Sequence, residues 1–263
     1  MTRVRVLGQA AVAGWADFRT IYTLRSWALG WMARVLAQVA FFAVIGRLLD
    51  SPGHTQYLLV GSAVFVAAME TMMAVASTTW ERMDGRLPLL VATPSSLAWL
   101  FCGRSWFWMA SGTVSGTVAL LVLAPLFGVA LPWPGVVAVP FLIAVVAVGT
   151  YGVALTMGGL ALRFTELRNV ISNVTHLTMM AIGGVLIPTA FWPVPLQTLA
   201  AVFPLTHGLL AVRGVLDGQP AGAVLANAGY ALLAGACWFV VAALAFRRLV
   251  EGARRHGGIE FGA

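Results

Sequence analysis

The chain has 263 residues, of which 60% are hydrophobic and 10% charged, and its mean hydropathy is +0.90. A water-soluble domain carries roughly 25% charged residues, so this composition excludes one and leaves no length for a separate soluble domain. The net charge of +7 rests on 16 basic residues, all arginine; they border apolar runs instead of forming one basic face, which excludes a nucleic-acid partner.

Residues 2–25 precede the first long apolar run. Leu7, Ala11, Trp15, Phe18 and Tyr22 recur at helical spacing, with Gln9, Asp17 and Thr20 on another side. With Arg3, Arg5, Arg19 and Arg25 this predicts an N-terminal helix lying in the membrane interface, over residues 1–25; the alternative is a plain extension of the first span. No short apolar stretch here ends in a small-residue cleavage site, so a removable signal is not expected.

Six apolar runs follow, at about 27–48, 56–78, 105–127, 136–162, 170–191 and 223–246. Backbone in a bilayer core must satisfy its own hydrogen bonds, so runs of this length are helices. The expected fold is an all-α integral membrane protein with one transmembrane domain over residues 26–246 and a basic tail over 247–263. Arginines collect beside the termini and in the second and fourth connections. The opposite side holds only Arg47 and Arg213. Both termini are therefore expected in the cytoplasm.

Two segments interrupt this serpentine. Residues 80–104 alternate polar and apolar types and predict a short helix across the cytoplasmic face. Residues 192–218 are apolar but broken by Pro193, Pro195 and Pro204, which predicts a re-entrant helical hairpin on the outer side, the alternative being an apolar loop. The two three-span halves share no motif, so an inverted-repeat transporter gains no support.

Catalytic signatures are missing. A phosphate-binding loop needs a lysine, and the chain has none. His54, His176, His207 and His256 fall in separate segments without ligand spacing, and no nucleophile elbow occurs. Cys102 and Cys237 read as small buried hydrophobes. No enzyme activity, metal or resident cofactor is expected.

The most informative polar island begins at Trp80. Glu81, Arg82, Asp84 and Arg86 pack four charges into six residues, followed by Leu87, Leu89 and Leu90 and a Thr93-Pro94 stop. This is a short amphipathic element able to face a partner; a solvated connector is the other reading. Glu81, Arg82, Gly85, Leu89, Leu90, Ala92, Thr93 and Pro94 resemble the E-R-x-x-G-x-x-x-x-L-x-A-T-P loop of ABC-2 type permeases. Gly183 to Pro188, then Trp192, Pro193, Pro195 and Leu196, resemble that family's S-G-x-x-x-P…L-P stretch. Pro204, Leu205, Thr206 and His207 with Arg213 and Gly214 resemble its N-P-L-T-H…R-G stretch. Pro88, Phe203 and Arg104 depart from the family's frequent residues.

The resemblance implies an exporter's membrane subunit, without its own ATP site, in a bacterial inner membrane. ATP and Mg would reside on two copies of a cytoplasmic ATP-binding subunit, beside a second permease copy or paralogue and membrane lipid. Glu81, Arg82, Asp84, Gly85, Arg86, Thr93 and Pro94 would couple to that ATPase, together with the N-terminal helix. The 192–218 hairpin would line the outer mouth. The cargo reading is an amphipathic drug or natural product, with lipid-linked oligosaccharide or polysaccharide as the alternative.

Within the apolar runs, Glu70 is costly unless it faces a cavity or partner. It is open to substrate or gating contact, pairing with Arg34, or neutral packing; a proton-coupled transporter using Glu70, without ATP, is the rival class. Arg34, His207, Pro204 and Trp192 are the other candidate path or gate residues. Gly112 and Gly116 form a G-x-x-x-G that permits close helix approach, within the chain or across a dimer.

Overall fold

The apolar runs fold as helices, as a bilayer core requires; a computed structural model describes residues 3–49, 51–83, 85 and 97–256, and no strand occurs among them. Helix α1 (Arg3–Ile21) ends at a break where Thr23 and Ser26 cap each other: Ser26 N–H donates to Thr23 Oγ1 (3.1 Å) and Thr23 N–H to Ser26 Oγ (2.9 Å). Helix α2 (Leu24–Leu48) carries a π-helical stretch, Trp27–Met32. Helices α3 (Pro52–Met72) and α4 (Ala74–Met83) meet at Met73, whose N–H bonds the Glu70 carbonyl at 3.0 Å. Then come α5 (Leu97–Arg104), α6 (Trp106–Leu126), α7 (Val139–Arg163), α8 (Arg168–Ile182), α9 (Val194–Ala201), α10 (Pro204–Leu216) and α11 (Ala221–His256).

Among the described residues five segments are long and apolar enough to cross a bilayer: Leu24–Leu48, Pro52–Trp80, Leu97–Leu126, Gly135–Arg163 and Ala221–Gly252. Helices α9 and α10 meet at 87° and make a sixth only if the bent pair is one span. The second segment is the centre of the bundle: 89% of its most apolar window is buried, against 22% for the first and last. Its neighbours are α2, α6 and α7, and α11 packs along α7. Leu29, Phe141, Leu233 and Val240 remain exposed on the outer faces, the inverse of a soluble protein's patterning and suited to lipid.

Close crossings rest on small residues. A Cβ on Gly112 would stand 2.6 Å from the Ala67 carbonyl oxygen, and one on Gly116 2.8 Å from that of Ala63. The G-x-x-x-G of α6 is therefore an intrachain contact with α3. Helices α7 and α11 cross at Gly149 and Gly235, where a Cβ on Gly235 would lie 2.6 Å from Gly149 Cα. The bundle has two ends. The terminal end gathers α1, α5 and the close of α11, where Phe101 stacks on Phe246 at 5.3 Å. The loop end gathers the turns before α3, α7 and α11 and the connection that follows α8.

Three boundaries differ from the sequence expectation. The helix of the fifth run stops at Ile182, not near 191, because Gly183 and Gly184 follow; Gly184 takes φ +85°, a conformation costly to residues with a side chain. At 15 residues α8 rises about 22 Å, short of the roughly 30 Å hydrocarbon core. Residues 97–104, expected in the polar connection, are helical and lead into the third span. The last helix continues past 246 to His256, with Arg247 Nε and Glu251 Oε1 paired at 2.9 Å one turn apart. Residues 192–218 are largely helical, as the hairpin reading expects and the loop reading does not.

Candidate functional site

Of the residues expected to face a partner, Glu81, Arg82 and Gly85 are described, at the terminal end. Helix α4 carries Glu81 and Arg82 in its last turn, and Gly85 has φ +68°. Asp84, Arg86, Thr93 and Pro94, with the expected coupling helix, lie outside the described residues. The chain re-enters at Leu97, and α5 packs along α1. A Cβ on Gly14 would meet the Arg104 carbonyl oxygen at 2.1 Å, and one on Gly103 the Ala10 methyl at 2.6 Å. Arg104 forms an ion pair with Asp17, and Trp106 Nε1 donates to the Ala11 carbonyl at 3.2 Å. The N-terminal helix and the segment leaving the 81–96 loop are thus one packed unit.

Glu70 sits above this unit, in the last turn of α3, with no exposed surface. Ser111 Oγ donates to its Oε2 at 2.6 Å and in turn accepts from Trp27 Nε1 at 3.1 Å. Its Oε1 is shielded and makes no hydrogen bond of ordinary geometry among the described residues; Trp31 Nε1 and Ser115 Oγ are its polar neighbours. Helix irregularities flank the carboxyl: the π-helical stretch of α2 on one side and the Met73 turn on the other. Such π segments are often found at functional sites. Arg34 turns outward and is exposed, its guanidinium 4.4 Å from the Trp31 ring centroid; no ion pair joins it to Glu70 among the described residues. Tyr22, Trp31, Trp108, Phe18 and Phe107 form an aromatic cluster nearby, with Tyr22 and Trp31 rings 5.9 Å apart.

The remaining candidates belong to the 192–218 hairpin, and two of them pack against the middle of α7 and α11. Pro204 opens α10 and is buried against Gly149. His207 Nε2 lies 2.8 Å from the Ala201 carbonyl, and its ring is 5.7 Å from Tyr230. These two residues border a cavity of about 530 Å³ with Val202, Trp238 and Val241. Trp192 is half-buried beside Phe191, and its carbonyl accepts from Gln197 Nε2 at 2.7 Å. The structure therefore separates the predicted path residues into two groups.

From the sequence, Arg213 is an outer charge and part of the R-G stretch, with no contact assigned to it. The structure makes it the node of the loop end: Nη1 donates to the Gly184 carbonyl at 2.8 Å, Nη2 to that of Tyr57 at 3.1 Å, and the guanidinium lies 3.5 Å from the Tyr57 ring centroid. Tyr57 Oη donates to the same Gly184 oxygen at 2.7 Å. Ser111, Ser115 and Trp31 around Glu70 were missed likewise. The signal for each was a polar residue one helical turn from another on an apolar face.

A bundle of apolar helices with a buried central span, a broken fifth run and a bent helix pair defines a polytopic all-α membrane protein. The model of the ABC-2 type transporter family matches residues 9–216, from within α1 to the end of α10, and the chain belongs to that family. It is accordingly the membrane component of an ABC transporter. No curated protein matches the chain.

Proposed function

We propose that this chain is the permease of an exporter that moves an amphipathic drug or natural product, with ATP hydrolysed on a separate cytoplasmic subunit. That ATPase docks at the terminal end, against α1 and the charged 81–96 loop, and Glu81, Arg82, Asp84 and Arg86 form the coupling surface. The observation that carries this reading is the packing of α1 on α5. It places the interfacial helix and the exit of the charged loop on one surface, so a push on either reaches α6 and, through Gly112 and Gly116, the central helix α3. Arginines at that end, Arg19, Arg25, Arg104, Arg163 and Arg247 among them, fit a cytoplasmic placement. ATP biases the transport states only through contacts that differ between them, and a loop at the foot of the central helix is suited to that role.

The test is purification of the tagged protein from membranes with identification of its cytoplasmic partner. An ATP-binding-cassette subunit is expected in the complex. Isolation without any ATPase, together with proton-driven transport in vesicles holding this chain alone, would instead establish the secondary-transporter class.

A further inference from the structure

Arg213 is held by neutral acceptors only. Besides Gly184 and Tyr57, the Val185 carbonyl lies 3.4 Å from Nη2. Among the described residues no carboxylate reaches it within 4.0 Å. Its Nε is shielded and has no hydrogen-bond partner. A permanent cation, only partly exposed, thus has no contact ion pair among the described residues, Asp217 acting on it only from farther off, and one of its donors is idle.

The same side chain borders a cavity of about 210 Å³ at the loop end, with Tyr57, Thr189, Thr206, Gln219 and Asn227 around it. A single water needs about 10–15 Å³, so there is room for a larger polar group. Pro188, Ala190 and Leu210 also line it, so polar side chains meet an otherwise apolar wall. Asp217 also borders the cavity, but it is exposed at the mouth, where its Oδ1 accepts from Gln56 Nε2 at 3.0 Å. Its charge is met by water and screened by salt more than that of the half-buried Arg213, and it offsets Arg213 only in part.

We propose that this cavity is an oxyanion site, taking a phosphate or carboxylate group that supplies the contact ion pair Arg213 lacks. The guanidinium is suited to it, since its planar array of donors matches the geometry of both groups. The inference deepens the export reading and rests on it for the site's purpose: the cargo bears an acidic head on an apolar body. Asp217 at the mouth opposes the anion, so its removal strengthens binding.

The test is calorimetric titration of the purified full-length chain in phosphatidylcholine nanodiscs, with empty nanodiscs as the blank. Inorganic phosphate and dodecyl phosphate are the probes. Saturable binding of both identifies an anion site open to free phosphate, and binding of dodecyl phosphate alone identifies a headgroup site; either supports the proposal. Arg213→Ala is expected to weaken binding about tenfold or more, and Asp217→Asn, which keeps an acceptor for Gln56, to tighten it severalfold. Because Arg213→Ala also removes a donor from the Gly184, Tyr57 and Val185 carbonyls, Asp217→Asn carries the test if that variant does not fold. Absence of saturable binding by a chain with wild-type helicity, or equal affinity in Asp217→Asn, would overturn the proposal. No ATPase partner enters the measurement, so its failure leaves the coupling reading standing, and a failure of coupling leaves the binding result standing.

Discussion

Gly112 faces Ala67 so closely that a methyl group on the glycine would lie 2.6 Å from the alanine's carbonyl oxygen. Nothing flexible lies in between, since the obstacle is backbone. Gly112→Ala is therefore expected to destabilise the protein by about 1–3 kcal/mol through overpacking, and Gly112→Leu to prevent assembly of the bundle. Gly229→Ala, on α11 where no atom lies within 4 Å, is expected to be neutral or stabilising by about 0.5–1 kcal/mol. Thermal unfolding in detergent, followed by size-exclusion, compares the three.

Docking of α1 on α5 combines an ion pair with a steric fit, and the two differ in weight. The Asp17 side chain is 46% exposed, so its pair with Arg104 contributes on the order of 0–1 kcal/mol. Asp17→Asn is expected to leave proteolytic protection of α1 nearly unchanged. Gly14→Leu, whose side chain would meet the Arg104 backbone, is expected to release α1. Limited proteolysis of the N-terminal segment reads both, and equal protection in the two variants would show that α1 is held by something else.

The Glu70 carboxyl accepts a hydrogen bond from Ser111. Ser111→Ala removes that bond from a buried group and is expected to cost about 1–3 kcal/mol. Glu70→Gln keeps the volume and an acceptor for Ser111, so its cost is expected to stay below that of Ser111→Ala. Denaturation of both variants in mixed micelles ranks them. The reverse order would place Glu70 in a charge interaction that the Ser111 bond does not represent.

The fold class was legible from hydropathy because a bilayer admits few backbone solutions. The terminal-end architecture was partly legible too, since Trp15, Phe18 and Tyr22 announced one face of α1, and Phe18 and Tyr22 do pack against the aromatic cluster. What averaging hydropathy cannot see is where an apolar run stops being helical. The break after Ile182 is set by Gly183 and Gly184 and is stabilised by Arg213, some 30 residues later. Nor does composition choose a partner for a small-residue stripe: the Gly112 and Gly116 contact with α3 required both helices in space. The acidic residue Glu70 stood out as costly, but its companions Ser111 and Ser115 lie some 40 residues away and look ordinary in sequence.

The central claim is that an ATPase on another chain drives this permease through the charged loop after α4. The most direct measurement is substrate-stimulated ATP hydrolysis by the permease–ATPase complex reconstituted in proteoliposomes, comparing wild type with Arg82→Glu/Arg86→Glu. The account predicts that the double variant inserts and folds normally while stimulation falls severalfold or more. Undiminished stimulation in a complex of normal composition would contradict it.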